Sequence, residues 1–307
     1  QDVRTILPTQ SLLDFSCPPM EAPEIKPNTV FHIGISGGKD STAVLLWMIH
    51  ESGIDFDKLE VTFCDTGNEH EWTYAHVRML HEKVHPITIL KPELPFFPLA
   101  FKKRRFPSTK ARFCTEFLKI YPTEEHICKL KLCGLEPIAV SGVRADESEE
   151  RRHLPEWDFS GNLFCIQWRP LIRWTLDDVL TIHKRYGVPL NPLYGIGAMR
   201  VGCWPCIMSR KSEIRTIALK FPERIEEIRR AEQEFEKAYG RYSSFFPATT
   251  VPERFRTKPF QRDDGTWINV ASIDDVVRWS MTGARAEGSW EDDPVKEPIG
   301  CSSGFCE

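Results

Sequence analysis

Ser36-Gly37-Gly38-Lys39-Asp40-Ser41-Thr42 stands between an apolar, strand-like run at 30–35 and an apolar, helix-like run at 43–49. This strand, turn and helix order is where α/β proteins hold phosphate. Two glycines let the backbone turn sharply and bring its N–H groups close to an anion, Lys39 adds a point charge, and the following helix aims its positive end at the same place. The loop is built for oxyanions. It is not a Walker A loop, since that pattern needs glycine where Ile33 stands and serine or threonine where Asp40 stands. A carboxylate inside a phosphate nest repels its ligand unless a cation intervenes, so Asp40 leads to the expectation of Mg²⁺ on a bound polyphosphate.

Working outward, the chain alternates strand and helix patterns: strand 30–35, helix 40–52, strand 59–64, helix 69–84 and strand 87–90. That is a βαβαβ half of a doubly wound, mostly parallel α/β sheet of Rossmann-like type. Ser36 and Asp65 then close two strands on one carboxyl edge, where such sheets bind ligands. Residues 91–107 break the rhythm with prolines and the basic cluster Lys102-Lys103-Arg104-Arg105. A helix at 123–132 and a strand at 137–141 resume it, followed by a helix at 176–186 with Thr175 as N-cap and an amphipathic helix at 223–239. The expected organisation is an extended, proline-rich arm at 1–28, a nucleotide domain at 29–201, and a helical, loop-rich C-terminal subdomain at 202–307 ending in an acidic, glycine-containing tail from 283.

Composition sets bounds on function. The 307 residues are 41% apolar and 27% charged, ordinary for a soluble enzyme, and the net charge of −4 means that a nucleic-acid partner needs a local basic patch. The longest uninterrupted apolar run, 43–49, is far short of a membrane span, and no basic segment with an apolar core opens the sequence. A cytoplasmic location is expected. Ten cysteines beside a nucleotide loop point to metal or redox chemistry before structural disulfides.

Two further strand ends carry polar turns: Cys64-Asp65-Thr66-Gly67-Asn68-Glu69, and Ser141-Gly142-Val143-Arg144-Ala145-Asp146-Glu147-Ser148. Arg144, Glu147 and Arg151 fall on one side of a short helix, where an arginine can grip phosphate in a two-toothed fork. The loop at 36–42 resembles the SGGxDS loop of the ATP pyrophosphatases, which cleave ATP between its α and β phosphates. With it come Arg112 to Pro122 (RFCTEFLKIYP), Pro170-Leu171-Ile172-Arg173-Trp174, Asn191-Pro192-Leu193-Tyr194 and Gly202-Cys203-Trp204-Pro205-Cys206. In that order, over 30–206, these segments resemble the phosphoadenosine phosphosulfate (PAPS) reductase branch of the adenine nucleotide α-hydrolase superfamily. The resemblance implies ATP and Mg²⁺ as ligands of Ser36, Gly37, Gly38, Lys39, Asp40, Ser41, Thr42, Asp65, Thr66, Gly142, Arg144, Glu147 and Arg151, with Lys39, Asp40 and Arg144 as the catalytic set.

Within that branch the unaltered loop resembles the ATP-using members, and the Glu-Cys-Gly-[Ile/Leu]-His ending of the sulfonucleotide reductases is absent. The chain ends Cys301-Ser302-Ser303-Gly304-Phe305-Cys306-Glu307. Cys203-x₂-Cys206 with Cys301-x₄-Cys306 makes two close pairs, enough for one four-thiolate site that ties the tail to the body. Spacing leaves zinc and [4Fe–4S] open. Resemblance to DNA phosphorothioation ATP pyrophosphatases and to iron–sulfur adenylylsulfate reductases implies [4Fe–4S], with Cys114 as an alternative ligand. Cys64, Cys128, Cys133 and Cys165 read as buried small hydrophobes, and His32, His50 and His183 as structural.

The expected function is ATP-dependent adenylylation of a nucleic acid for sulfur incorporation. DNA phosphorothioation is the form implied by resemblance, with a cysteine desulfurase and other sulfur-modification proteins as partners. The alternatives are a sulfonucleotide reductase, a tRNA thiolation enzyme and a non-catalytic nucleotide-binding subunit. Lys102 to Arg105 with Lys110 and Arg112, interleaved with Phe101, Phe106 and Phe113, is the candidate contact for nucleic acid. The sequence does not fix the oligomeric state.

Overall fold

The structure is a computed structural model that describes residues 20–247, 250–262 and 264–283. Its centre is a six-stranded sheet in the order β3-β2-β1-β4-β6-β5. Strands β1 (Thr29–Ile35), β2 (Leu59–Cys64), β3 (Thr88–Leu90), β4 (Glu136–Val140) and β6 (Cys165–Trp168) run parallel, and β5 (Trp157–Ser160) closes one edge antiparallel to β6. Phe31, Ile33 and Ile35 of β1 are all buried, because helices cover both faces of the sheet.

Three helices follow the first strands in chain order: α1 (Lys39–His50), α2 (Glu71–Lys83) and α3 (Phe96–Lys102). Helix α1 is buried almost all round, from Asp40 through Leu46 and again at Met48, since it lies between the sheet and a later helix. Next come α4 (Phe113–Thr115), a π turn at Glu116–Ile120, α5 (Tyr121–Leu132) and the short α6 (Glu149–Arg152). Helix α7 (Leu176–Arg185), which packs on α1, starts at Thr175. There Thr175 Oγ1 accepts the Asp178 N–H and Asp178 answers by accepting the Thr175 N–H, the reciprocal cap expected from sequence. The C-terminal part holds α8 (Lys211–Lys220), α9 (Pro222–Tyr239), α10 (Ile273–Ser280) and a hairpin of β7 (Lys258–Gln261) and β8 (Trp267–Val270). The C-terminal region is helical and loop-rich as expected, and the hairpin adds two short strands to it.

Packing does not stop at the expected boundary near 202. One apolar cluster joins Phe96, Leu99, Phe106 and Leu118 to Ile214, Ile228, Phe235, Phe245 and Trp279. The proline-rich segment thus packs into the C-terminal core. Helix α9 turns Ile225, Ile228, Ala231 and Phe235 inward and its charged residues outward, as its pattern requires. Cys165 is buried as expected, whereas Cys128 and Cys133 are exposed, because both lie on the outer face and end of α5. No helix among the described residues is long and apolar enough to cross a membrane.

Candidate active site

Strand order fixes where a ligand can sit. The chain runs β1, β2, β3 outward to one side and then returns to place β4 on the other side of β1, so the crevice between the ends of β1 and β4 is the topological switch point. The loops at 36–38 and 141–148 meet there. Gly142 comes so close to α1 that a Cβ on it would lie 2.6 Å from the Asp40 carbonyl oxygen. Only glycine permits that approach.

The first loop is internally braced. Gly37 turns with φ +78°, a left-handed conformation that suits glycine. Gly38 N–H donates to Ser36 Oγ at 3.1 Å, Ser41 Oγ accepts the Ser36 N–H at 3.2 Å, and the Lys39 N–H donates to Tyr194 Oη at 3.0 Å. From outside, Asn191 Nδ2 donates to the Gly37 carbonyl at 3.2 Å while its Oδ1 accepts the Leu193 N–H. His183 Nε2 lies 2.8 Å from the Lys39 carbonyl. The Asn191-Pro192-Leu193-Tyr194 segment is therefore a brace for the loop, a role that no local sequence signal announces.

Asp40 is 1% exposed and lies between two cations: Arg144 Nε is 2.6 Å from Oδ1, and Lys39 Nζ contacts Oδ2. Burial by itself would lower the Arg144 guanidinium, but the Asp40 charge beside it leaves it raised overall. Both carboxylate oxygens are taken by the protein's own cations. With Lys39 and Arg144 paired to it, Asp40 does not need Mg²⁺ for charge compensation in this arrangement. Glu147 accepts from the Arg144 N–H at 2.9 Å and from Arg151 Nη1, so the structure brings Arg144, Glu147 and Arg151 together as sequence spacing suggested. Arg144 and Arg151 are nearly fully buried, and the group acts first as a scaffold pinned to Asp40. Thr42 is fully buried and does not line the cleft.

Beside the loop opens a narrow cleft of about 40 Å³ lined by Ser36, Ser41, Cys64, Glu69, Lys119 and Thr123 among others. The π turn carries Lys119 into its wall. Asp65 Oδ1 accepts the Gly67 N–H and the Tyr74 hydroxyl, shaping the turn after β2, and Thr66 Oγ1 donates to Glu69 Oε1 at 2.6 Å. Burial raises the Glu69 carboxyl above the ordinary glutamate range and raises the Cys64 thiol. Cys64, Glu69, Lys119 and Thr123 were not picked out as site residues from sequence, and only their convergence at the sheet edge reveals them.

The loop of Cys203 and Cys206 docks on the same turn. Glu69 and Cys203 form an antiparallel bridge, the Trp204 N–H donates to the Asn68 carbonyl at 2.6 Å, and Asn68 Nδ2 donates to the Pro205 carbonyl at 3.2 Å. Cys203 Sγ lies 3.6 Å from Thr66 Oγ1 and 3.9 Å from Glu69 Oε1. Burial pushes the Cys203 thiol strongly up, with Cys206 and Cys114 near enough to push it further. Cys206 Sγ accepts the Met208 N–H at 3.4 Å. Cys301 and Cys306 lie outside the described residues, and among the described residues no group of three or more histidine, cysteine, aspartate or glutamate side chains is arranged to hold a metal.

A glycine-rich loop at the switch point of a parallel sheet, with a thiol-bearing cleft beside it, defines a nucleotide-handling α/β protein. The sequence profile of the phosphoadenosine phosphosulfate reductase domain matches residues 31–209, and the chain belongs to that family. A 37.8 kDa protein from the gpa 5′ region of Escherichia phage 186 is 33% identical over 306 residues, covering 83% of this chain and 89% of that protein. The adenosine 5′-phosphosulfate reductase of Bacillus cereus strain ATCC 14579 is 27% identical over 152 residues, 48% of this chain and 62% of that enzyme. The chain thus spans less than two thirds of that reductase. Among solved structures, the PAPS reductase of Candida auris in its phosphate complex is 21% identical, with a TM-score of 0.46 over 59% of this chain and 83% of that one.

Proposed function

We propose that the protein is an ATP pyrophosphatase that adenylylates an oxygen of a nucleic acid and so prepares it for replacement by sulfur. DNA phosphorothioation is the specific form, with a cysteine desulfurase and other sulfur-modification proteins as partners. The observation that carries this reading is the unaltered loop at the switch point. Its Gly38 and Lys39 N–H groups donate to the hydroxyls of Ser36 and Tyr194, acceptors that a phosphate oxygen can replace. Lys39 and the N-terminus of α1 supply positive charge at the same point.

In this reaction a substrate oxygen attacks the α-phosphorus, the bond to the bridging α–β oxygen breaks, and pyrophosphate leaves carrying that oxygen. A sulfide-level sulfur, hydrosulfide released from the desulfurase persulfide by a reducing thiol that becomes a disulfide, then attacks the substrate phosphorus, and the adenylylated oxygen departs with AMP. The chain's part is to position ATP and to neutralise charge on the leaving group, through Lys39 and the loop N–H groups. Arg144 holds Asp40 and thereby the first turn of α1. Mg²⁺ would accompany the polyphosphate. A cluster at Cys203 and Cys206 would supply sulfur or electron transfer beside the cleft, or fix the tail over it.

A second reading, reduction of a sulfonucleotide, is favoured by one specific observation: the half-buried Cys64 thiol lines the cleft with the half-buried Cys203 next to the cleft residue Gly202, and relatives named adenosine 5′-phosphosulfate reductase share the domain. Titration of the full chain with ATP and with adenosine 5′-phosphosulfate separates the two. The proposed function requires tighter ATP binding that weakens about ten-fold or more in Lys39→Ala, the scale of a hydrogen bond to a charged group. Tighter sulfonucleotide binding that is indifferent to Lys39 would replace it with the reductase reading.

A further inference from the structure

A second cleft lies away from the sheet edge. It has a volume of about 610 Å³ and opens between the proline-rich basic segment and the β7–β8 hairpin, where Arg104, Arg105, Arg241 and Arg262 are among its lining residues. All four arginines are exposed, and none of them is ion-paired to a carboxylate among the described residues, although acidic side chains outnumber basic ones in the chain. Among the described residues the lining carries one carboxylate, Asp264, which accepts the Thr266 N–H and hydroxyl and also feels the charge of Arg262.

The cleft is a built feature. Arg104 adopts φ +53°, a left-handed conformation unusual for a residue with a side chain, at the C-terminal end of α3. Its carbonyl accepts from Arg241 Nη2 at 3.1 Å, which ties the two walls together just past the end of α9. Phe260 lies on the hairpin face that lines the cleft. The rest of the basic run goes elsewhere: Lys102 pairs with Glu93, and Lys103 Nζ sits 3.7 Å from the Phe117 ring centre. From Arg105 the chain reaches Cys114, beside Cys203, in nine residues, at most about 30 Å even when extended.

We infer that this cleft binds the phosphate backbone of a single-stranded nucleic acid, with the four arginines on phosphates and Phe260 against a base. Four arginines with no carboxylate ion pair among the described residues, on a lining that also carries the Phe260 ring, match a flexible chain of regularly spaced anions whose bases have flat faces. A local basic cleft is what a protein of net negative charge needs for such a partner. The inference names the substrate class of the adenylylation proposed above, and rests on that reading only for the coupling between cleft and loop.

The test is fluorescence anisotropy of the full chain with a labelled 20-nucleotide DNA single strand across a salt series, in the wild type, Arg105→Gln/Arg262→Gln and Phe260→Ala. The expected result is at least ten-fold weaker binding in the double variant, with the slope of log affinity against log salt reduced by about 1.4, the value for two lost single-strand phosphate contacts. Phe260→Ala should weaken binding about five-fold or more without changing the slope. ATP affinity at the loop and the melting temperature should be unchanged in all variants, so failure of the ATP reading and failure of this one show up separately. Unchanged oligonucleotide binding in the double variant would overturn the inference. Equal binding of polyglutamate or of anionic phospholipid vesicles, lost in the same variants, would also overturn it by showing a general anion surface.

Discussion

Arg144 Nε lies 2.6 Å from Asp40 Oδ1, with both side chains at most 4% exposed, so one buried ion pair joins the loop after β4 to the first turn of α1. The pair crosses the switch point itself. Removing either partner strands a buried charge, and Arg144→Ala should cost about 3–5 kcal/mol. Asp40→Asn should cost a similar amount because Arg144 and Lys39 would then face each other uncompensated. Urea unfolding of the singles and of Asp40→Asn/Arg144→Ala should show the double variant less destabilised than the sum by about 1–3 kcal/mol. Additive losses would mean that the two side chains act independently.

Gly142→Ala tests the close approach that brings the two loops together. A methyl group 2.6 Å from the Asp40 carbonyl cannot be accommodated by rotating a side chain, since the obstacle is backbone. The expected cost is about 1–3 kcal/mol, the scale of overpacking, together with weaker ATP binding as α1 is pushed away. Wild-type stability in this variant would show that the approach is looser than described.

The pH dependence of stability should be set partly by Glu232, far from the cleft. Its carboxylate accepts from the Phe245 N–H, the Ile273 N–H and the Tyr242 hydroxyl, yet burial pushes it up to about 7. A folded pKa above the unfolded value means that the native state holds the proton more tightly. The contribution is therefore complete below about pH 4.5 and is lost as pH rises to about 7, by about 3 kcal/mol. Chemical denaturation at pH 5 and pH 8 should show that fall in the wild type and a flatter profile in Glu232→Gln. Equal slopes in both would remove Glu232 as the cause.

Much of this architecture is legible in the sequence, and the reason is periodicity. The strand at 59–64 and the helix starting at Thr175 coincide with β2 and α7 because alternating Leu59, Val61 and Phe63 and the cap at Thr175 leave little freedom. The loop at 36–42 is equally legible. The β5–β6 pair and the β7–β8 hairpin are not, since their four-residue strands are half-exposed and carry too few residues to show a period. Within the site, sequence names Asp40 and Arg144 but not their contact, which spans 104 positions and exists only through the sheet order. The same holds for Asn191 against Gly37. Asp40 reads from sequence alone as a carboxylate in a phosphate nest that needs a cation, and that the cations are Arg144 and Lys39 follows only from the fold.

The thiols provide a separate prediction. If Cys203 and Cys206 join Cys301 and Cys306 around one [4Fe–4S] cluster, anaerobically prepared protein should carry about four irons per chain, and Cys203→Ser and Cys301→Ser should each lose them. Retention in Cys301→Ser with loss in Cys114→Ser would move the ligand set to Cys114. One zinc per chain in colourless protein would make the site structural.

Product analysis tests the central claim most directly. ATP is incubated anaerobically with the full chain, a single-stranded oligonucleotide and hydrosulfide as the sulfur donor, and the nucleotide products are separated and quantified. The proposed function predicts AMP and pyrophosphate in equal amounts, both lost in Lys39→Ala. ADP with inorganic phosphate, or no ATP turnover alongside release of sulfite from adenosine 5′-phosphosulfate, would contradict it.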